Sequence, residues 1–165
     1  MFDKAKVILG KLNKIVQKSL RAASLAFGFA YRDPSAALLV ARMAGWVAVL
    51  SVLIRLMPLP RILRLMRPKT RVRPSAQPSE VEARLAHLLD LLLATDFLFF
   101  TPTCWKRAPV LYRFLALEGI ETRILFGVRK DTGGALDGHA WLEARGRPLL
   151  EASAPDYTVT YAFPA

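Results

Sequence analysis

Cysteine occurs once in the 165 residues, at Cys104. That excludes an internal disulfide framework and fits a reducing compartment. Histidine occurs twice, at His87 and His139, in no zinc-ligand spacing. There is no Gly-rich phosphate loop and no RNP-like motif, so no cofactor, metal or nucleic acid is expected. Acidic residues are scarce, 13 against 24 Lys and Arg, for a formal charge of +11. With nucleic acid set aside, this balance favours an acidic peptide or anionic lipid as partner. A signal peptide is also missing: lysines run through the N-terminal stretch and no unbroken apolar core follows them, so the expected location is cytoplasmic. The longest uncharged apolar run, Met43 to Ile54, has twelve residues between Arg42 and Arg55. A spanning helix needs about 20. No internal repeat is visible.

What is present suits a packed protein: 53% hydrophobic and 22% charged residues. Residues 4–20 place Val7, Ile8, Leu12, Ile15 and Val16 on roughly one face, with Lys4, Lys11, Lys14 and Lys18 elsewhere. That period is a basic amphipathic helix, packed on its own domain or laid on anionic lipid. Asp33-Pro34-Ser35 is a helix start, and the apolar segment over 36–57 reads as a buried or interfacial helix stopped by Pro58 and Pro60, with insertion into a membrane as the alternative. The basic stretch Arg61 to Arg73 reads as a solvated face or linker, with contact to acidic peptide or to the membrane periphery as the alternative. Prolines 68, 74 and 78 with Ser75 and Ser79 mark a connection, which divides a helical N-terminal region, 1–78, from a second domain, 79–165. Ser79-Glu80-Val81-Glu82 reads as a capping box ahead of the stripe Val81, Leu85, Leu88, Leu89 and Leu92. His87 lies off that stripe and reads as a surface histidine.

The chemistry lies between Thr101 and Glu151. Cys104, Ala108, Leu111 and Leu115 line one face of a helix that Thr103 would cap and Gly119 would end. Thr122 to Arg129 alternates Ile124, Phe126 and Val128, a strand. Gly138 to Glu143 is a second strand, and the tail from Leu149 to Phe163 offers one or two more. A thiol in the first turn of a helix is favoured as thiolate by the partial positive charge there, and the free N–H groups can receive an oxyanion. A lone cysteine is otherwise a small buried hydrophobe. His139, 35 residues downstream on a strand, is the candidate general base; a nucleophilic cysteine needs one, and the base needs a third group to orient it. If Ala144-Arg145-Gly146 forms a three-residue hairpin loop, residue 143 pairs with 147 and His139 with Glu151. A two-residue turn at Arg145-Gly146 would pair 140 with 151 instead, and Asp156 is then the reserve candidate.

Cys104 at a helix start, Leu115-Ala-Leu-Glu-Gly-Ile120, Phe126-Gly-Val-Arg-Lys130, and His139-Ala-Trp-Leu-Glu143 followed by Gly146-Arg147 resemble the transglutaminase-like cysteine peptidases of lasso-peptide biosynthesis, the catalytic half of the split B protein. The likeness is close over about residues 97–155 and looser over the Leu- and Arg-rich helix at 35–67. It implies a papain/transglutaminase-like α+β fold, in which a Cys-bearing helix packs on a small antiparallel sheet behind a helical N-terminal region. It further implies that Cys104 is the nucleophile and His139 the base in removal of a leader from a ribosomally made precursor. The family's acid is typically Asp, and the aligned place here carries Glu151. Its partners are the precursor leader, a separate leader-recognition protein and an ATP-dependent lasso cyclase; the chain shows no strand-rich recognition domain and looks like the split form. Two rival readings stand beside this one: transglutaminase-like acyl transfer to an amine, through the same acyl-enzyme, and a non-enzymatic helical adaptor or membrane-surface protein with an inert Cys–His pair.

Overall fold

A computed structural model describes residues 33–68, 77–96, 100–130, 133–151 and 153–164. The amphipathic segment at 4–20, most of the proline-rich connection and Phe97 to Phe99 lie outside these residues. Within them the chain forms helices α1 (Pro34–Leu56), α2 (Leu59–Met66), α3 (Pro78–Leu93) and α4 (Cys104–Leu117). Strands β1 (Arg123–Lys130), β2 (Leu136–Ala144), β3 (Arg147–Leu149) and β4 (Thr158–Phe163) follow. The strands make one antiparallel sheet in the order β3-β2-β1-β4. The protein is α+β, as the resemblance implies.

Local chemistry sets the helix ends. Asp33 Oδ1 accepts hydrogen bonds from the N–H groups of Ser35 and Ala36, both at 3.0 Å, with Pro34 in the first turn. The Ser35 hydroxyl, which donates to the same oxygen at 2.6 Å, does most to hold the Asp33 carboxyl below its ordinary pKa, and the N–H bonds add to it. α1 ends at Leu56, but Pro58 and Pro60 do more than stop it: Pro58 is the N-cap of α2 and Pro60 sits in its first turn, where a missing N–H costs nothing. The basic stretch is therefore helical as far as Met66, and Ile62, Leu63 and Met66 are fully buried rather than part of a linker. The capping box at Ser79 does not form. α3 begins at Pro78 behind Gln77, whose side chain makes no cap, because the proline already supplies the first-turn geometry. α4 closes in a Schellman arrangement, Gly119 N–H donating to Ala116 O and Ile120 N–H to Leu115 O.

One core joins these elements. Met43, Val47 and Leu50 of α1, Ile62 and Leu63 of α2, and Leu85 and Leu89 of α3 meet Leu111 and Leu115 of α4. Ile124, Ala140, Leu142 and Phe163 close it from the sheet. Helices on both sides of residue 78 thus share apolar contacts. Arg113 of α4 reinforces the union: its guanidinium lies 3.8 Å from the Trp46 ring centroid and donates to Met66 O at the end of α2 (3.1 Å).

The other face of the sheet is built differently. Because side chains alternate along a strand, His139 and Trp141 of β2 project away from the face carrying Ala140 and Leu142. Their partners across the ladder are Gly127 and Leu125. Gly127 is required by close approach: a Cβ there would stand 2.7 Å from Tyr157 Cβ and 3.0 Å from the Trp141 ring. Gly127→Ala should therefore destabilise the protein by about 1–3 kcal/mol through forced displacement of both aromatics. Chemical denaturation would measure it, and a loss within error of zero would show that the Tyr157–Trp141 packing is not rigid.

Candidate active site

The three residue types expected to act together arrive from three elements. Cys104 is the first residue of α4, partly buried and packed against the core. Thr103 occupies the N-cap position in extended conformation, yet its side chain makes no capping hydrogen bond, and its Oγ1 is buried without a partner. Thr103 thus takes the expected N-cap position and sets Cys104 in the first turn, but without a side-chain cap, so the first-turn N–H groups keep their capacity to bind an incoming oxygen. Lys106 in the same turn donates to Thr101 Oγ1, and burial followed by the nearby Arg55 charge lowers its pKa.

The hairpin that follows β2 departs from the three-residue loop. Ala144 pairs with Arg147, Glu143 with Pro148 and Leu142 with Leu149. The turn holds two residues, Arg145 and Gly146, both with positive φ (52° and 74°). This is the primed geometry that suits the twist of the strands. Continued regularly, the ladder would set residue 151 opposite Ala140, on the wrong face. It does not continue. Leu150 has φ 58°, in the left-handed region, and β3 stops at Leu149. That single residue acts as a kink and re-aims Glu151 to the His139 side.

Glu151 Oε2 consequently stands 3.5 Å from His139 Nε2, with the two side chains 20% and 25% exposed. Glu151 Oε1 lies 4.0 Å from Arg107 Nη1. Arg107 is one helical turn beyond Cys104 on the same side of α4. It is anchored by two bonds to Asp90 of α3, Nε to Oδ1 at 2.7 Å and Nη2 to Oδ2 at 3.1 Å. The Asp90 hydrogen bond, working against burial, raises the Arg107 pKa, so the guanidinium is a permanent cation beside Glu151. Asp156 is exposed on the segment before β4, and the carboxylate against His139 is that of Glu151. Among the described residues no hydrogen bond joins Cys104 to His139; such bonds often tighten only when substrate is bound. The two sides are linked through Arg107 and Glu151. His87 is exposed on α3, and no cluster of metal-ligating side chains occurs among the described residues.

Alternation along the strand sets Trp141 on the same face as His139; the second aromatic beside the imidazole, Tyr157, was missed by sequence reasoning. The Trp141 ring stacks on His139 at 5.8 Å with 13° between planes, and the Tyr157 ring lies 5.2 Å away. Tyr157 donates its hydroxyl to Asp137 Oδ2 (2.7 Å), which also accepts from Arg129 Nε (3.1 Å). Those two donors, Tyr157 first, hold the Asp137 carboxyl below its ordinary pKa, and the same bond raises the Tyr157 phenol, to which the nearby Cys104 also contributes. Alternation along β2 placed Asp137, His139 and Trp141 on one face and was the available signal; the return of Tyr157 from beyond β3 was not legible. Arg107, too, was visible only as a basic residue near Cys104. Arg107→Gln removes the Asp90 bridge and the cation beside Glu151, so alkylation of Cys104 by iodoacetamide at neutral pH should slow by about three- to tenfold. An unchanged rate in a folded variant would separate Arg107 from the site.

The family model of the transglutaminase-like superfamily matches residues 45–162. No curated protein and no solved structure matches the chain. Members of that superfamily are typically cysteine-dependent enzymes, and the matched stretch carries Cys104, His139 and Glu151 in a helix-then-sheet order. With well over half of its length matched, the chain belongs to the transglutaminase-like superfamily.

Proposed function

We propose that the protein is a cysteine endopeptidase that removes the leader from a ribosomally synthesised lasso-peptide precursor. The observation that carries this reading is the Glu151 carboxylate held between His139 Nε2 and Arg107, one turn from Cys104. The superfamily match supports cysteine chemistry in general; the motifs around Cys104, Gly127 and His139 support the narrower substrate class by resemblance.

The geometry suggests the following division of labour. Glu151 engages Nε2, which leaves Nδ1 of His139 to exchange a proton with the Cys104 thiol. The thiolate attacks the scissile carbonyl, and the oxyanion is received by N–H groups in the first turn of α4. The imidazolium, stabilised by the Glu151 charge, gives its proton to the leaving amine as the C–N bond breaks. Water then attacks the thioester, His139 takes its proton, and Cys104 is released with the new carboxylate. An amine in place of that water would give acyl transfer, the second activity consistent with the family. The peptidase reading rests on the likeness to leader peptidases, and the proposed partners are the precursor leader, a separate recognition protein and the cyclase.

Mass spectrometry of a candidate precursor incubated with the chain and its recognition partner tests the proposal. Cys104→Ala and His139→Ala should each abolish cleavage to comparable extents, since such groups act as a unit. Glu151→Gln should lower turnover by about 10- to 10⁴-fold, whereas Asp156→Asn should change little. The reverse order for these last two would assign the orienting role to Asp156. Omitting the recognition partner should slow cleavage at fixed substrate, because binding then loses its effective concentration; equal rates would mean that the chain reads the leader itself.

A further inference from the structure

α1 carries apolar residues around most of its circumference, and among the described residues only one of its sides is covered. Met43, Val47 and Leu50 are fully enclosed in the core, whereas Leu38, Val49, Val52 and Leu56 are 64%, 44%, 47% and 72% exposed. Their spacing, with Ala41 and Gly45 exposed between them and Arg42 at the edge, sets them along one face for about 27 Å. A helix apolar all round is normally enclosed all round. The surroundings of the stripe are of one charge: residues 34–79 contain no Asp or Glu, and Arg42, Arg55, Arg61, Arg64 and Arg67 are exposed. Leu65 of α2, 51% exposed, adds to the apolar surface between the arginines.

Three physical considerations choose the occupant. α1 is long and apolar enough to cross a bilayer by length and composition, but crossing would strip Met43, Val47 and Leu50 from the core and break the Arg113–Trp46 stacking. Protein interfaces centre on aromatic or Arg anchors with satisfied hydrogen bonds. The stripe offers no aromatic anchor at its centre: Trp46 is engaged by Arg113, and the Ser51 hydroxyl donates to Val47 O. A lipid interface asks only for apolar side chains and a cationic rim, which are what this face presents.

We propose that α1 and α2 form a docking face for an anionic membrane, with α1 lying in the interfacial plane, its stripe in the acyl boundary and the arginines on headgroup phosphates. This is independent of the leader-peptidase reading.

Co-sedimentation of the full chain with unilamellar vesicles tests the face. The chain should partition onto vesicles of phosphatidylglycerol and phosphatidylcholine but weakly onto phosphatidylcholine alone, and added salt should weaken the binding. Val49→Ser with Val52→Ser should reduce partitioning by about tenfold or more, with circular dichroism unchanged; Leu38→Ser, at the other end of the stripe, should act in the same direction. Arg61→Glu with Arg64→Glu should abolish the preference for phosphatidylglycerol. Failure to bind the anionic vesicles, undiminished binding by the folded stripe variants, or a monomer–dimer equilibrium that Val52→Ser dissolves would each overturn the proposal. So would a stripe-dependent complex with an acidic protein in the absence of any lipid binding.

Discussion

The placement of one carboxylate governs the architecture of the site. Glu151 can meet the His139 ring only because Leu150 leaves the strand conformation. In a regular ladder behind the two-residue turn, residue 151 would share its face with Ala140 and point toward the helices. The left-handed backbone at Leu150 costs about 1–2 kcal/mol for a non-glycine residue. That cost is offset where the carboxylate finds His139 on one side and the Arg107 cation on the other. Arg107 in turn is fixed by Asp90, so α3, α4 and the end of the hairpin converge on a single charge arrangement. Strain confined to one residue at the end of β3 is thus coupled to the geometry of the proposed catalytic group.

The imidazole is held in a second way. Trp141 covers one face of the ring, Tyr157 packs near it, and the Tyr157 hydroxyl is tied to Asp137 and through it to Arg129. Gly127 opposite His139 leaves room for both aromatics. In the role proposed for His139, a ring clamped in this manner would lose little orientational freedom when substrate binds, which is the condition for efficient proton transfer. The sheet face that carries this assembly is distinct from the face that closes the core. Stability and chemistry therefore use opposite sides of the same two strands.

Much of the fold was legible because it depends on short-range periods. The alternation of Ile124, Phe126 and Val128 and the stripe of Leu85, Leu88 and Leu89 led directly to β1 and α3. Asp33-Pro34 marked a real helix start because capping is a local effect. Where two local signals competed, the reading failed: Pro78 set the start of α3 before Ser79 could cap it, and Arg145-Gly146 formed the tighter turn. Glu151 was expected beside His139 from a loop that does not form, and it reaches the ring by the kink at Leu150. Nothing in a leucine announces a left-handed backbone; that conformation is imposed by the tertiary contacts of the residue after it. The Arg107–Asp90 bridge and the Tyr157–Asp137 bond join residues 17 and 20 apart in sequence, so no local pattern exposes them.

The central claim is that Cys104 becomes covalently acylated with His139 and Glu151 in support. Acid quenching of turnover on a precursor peptide, followed by peptide mapping, tests it most directly. The account predicts a thioester on Cys104 that hydroxylamine releases, and its loss when His139 is replaced by Ala. Turnover that continues after complete alkylation of Cys104 would contradict it.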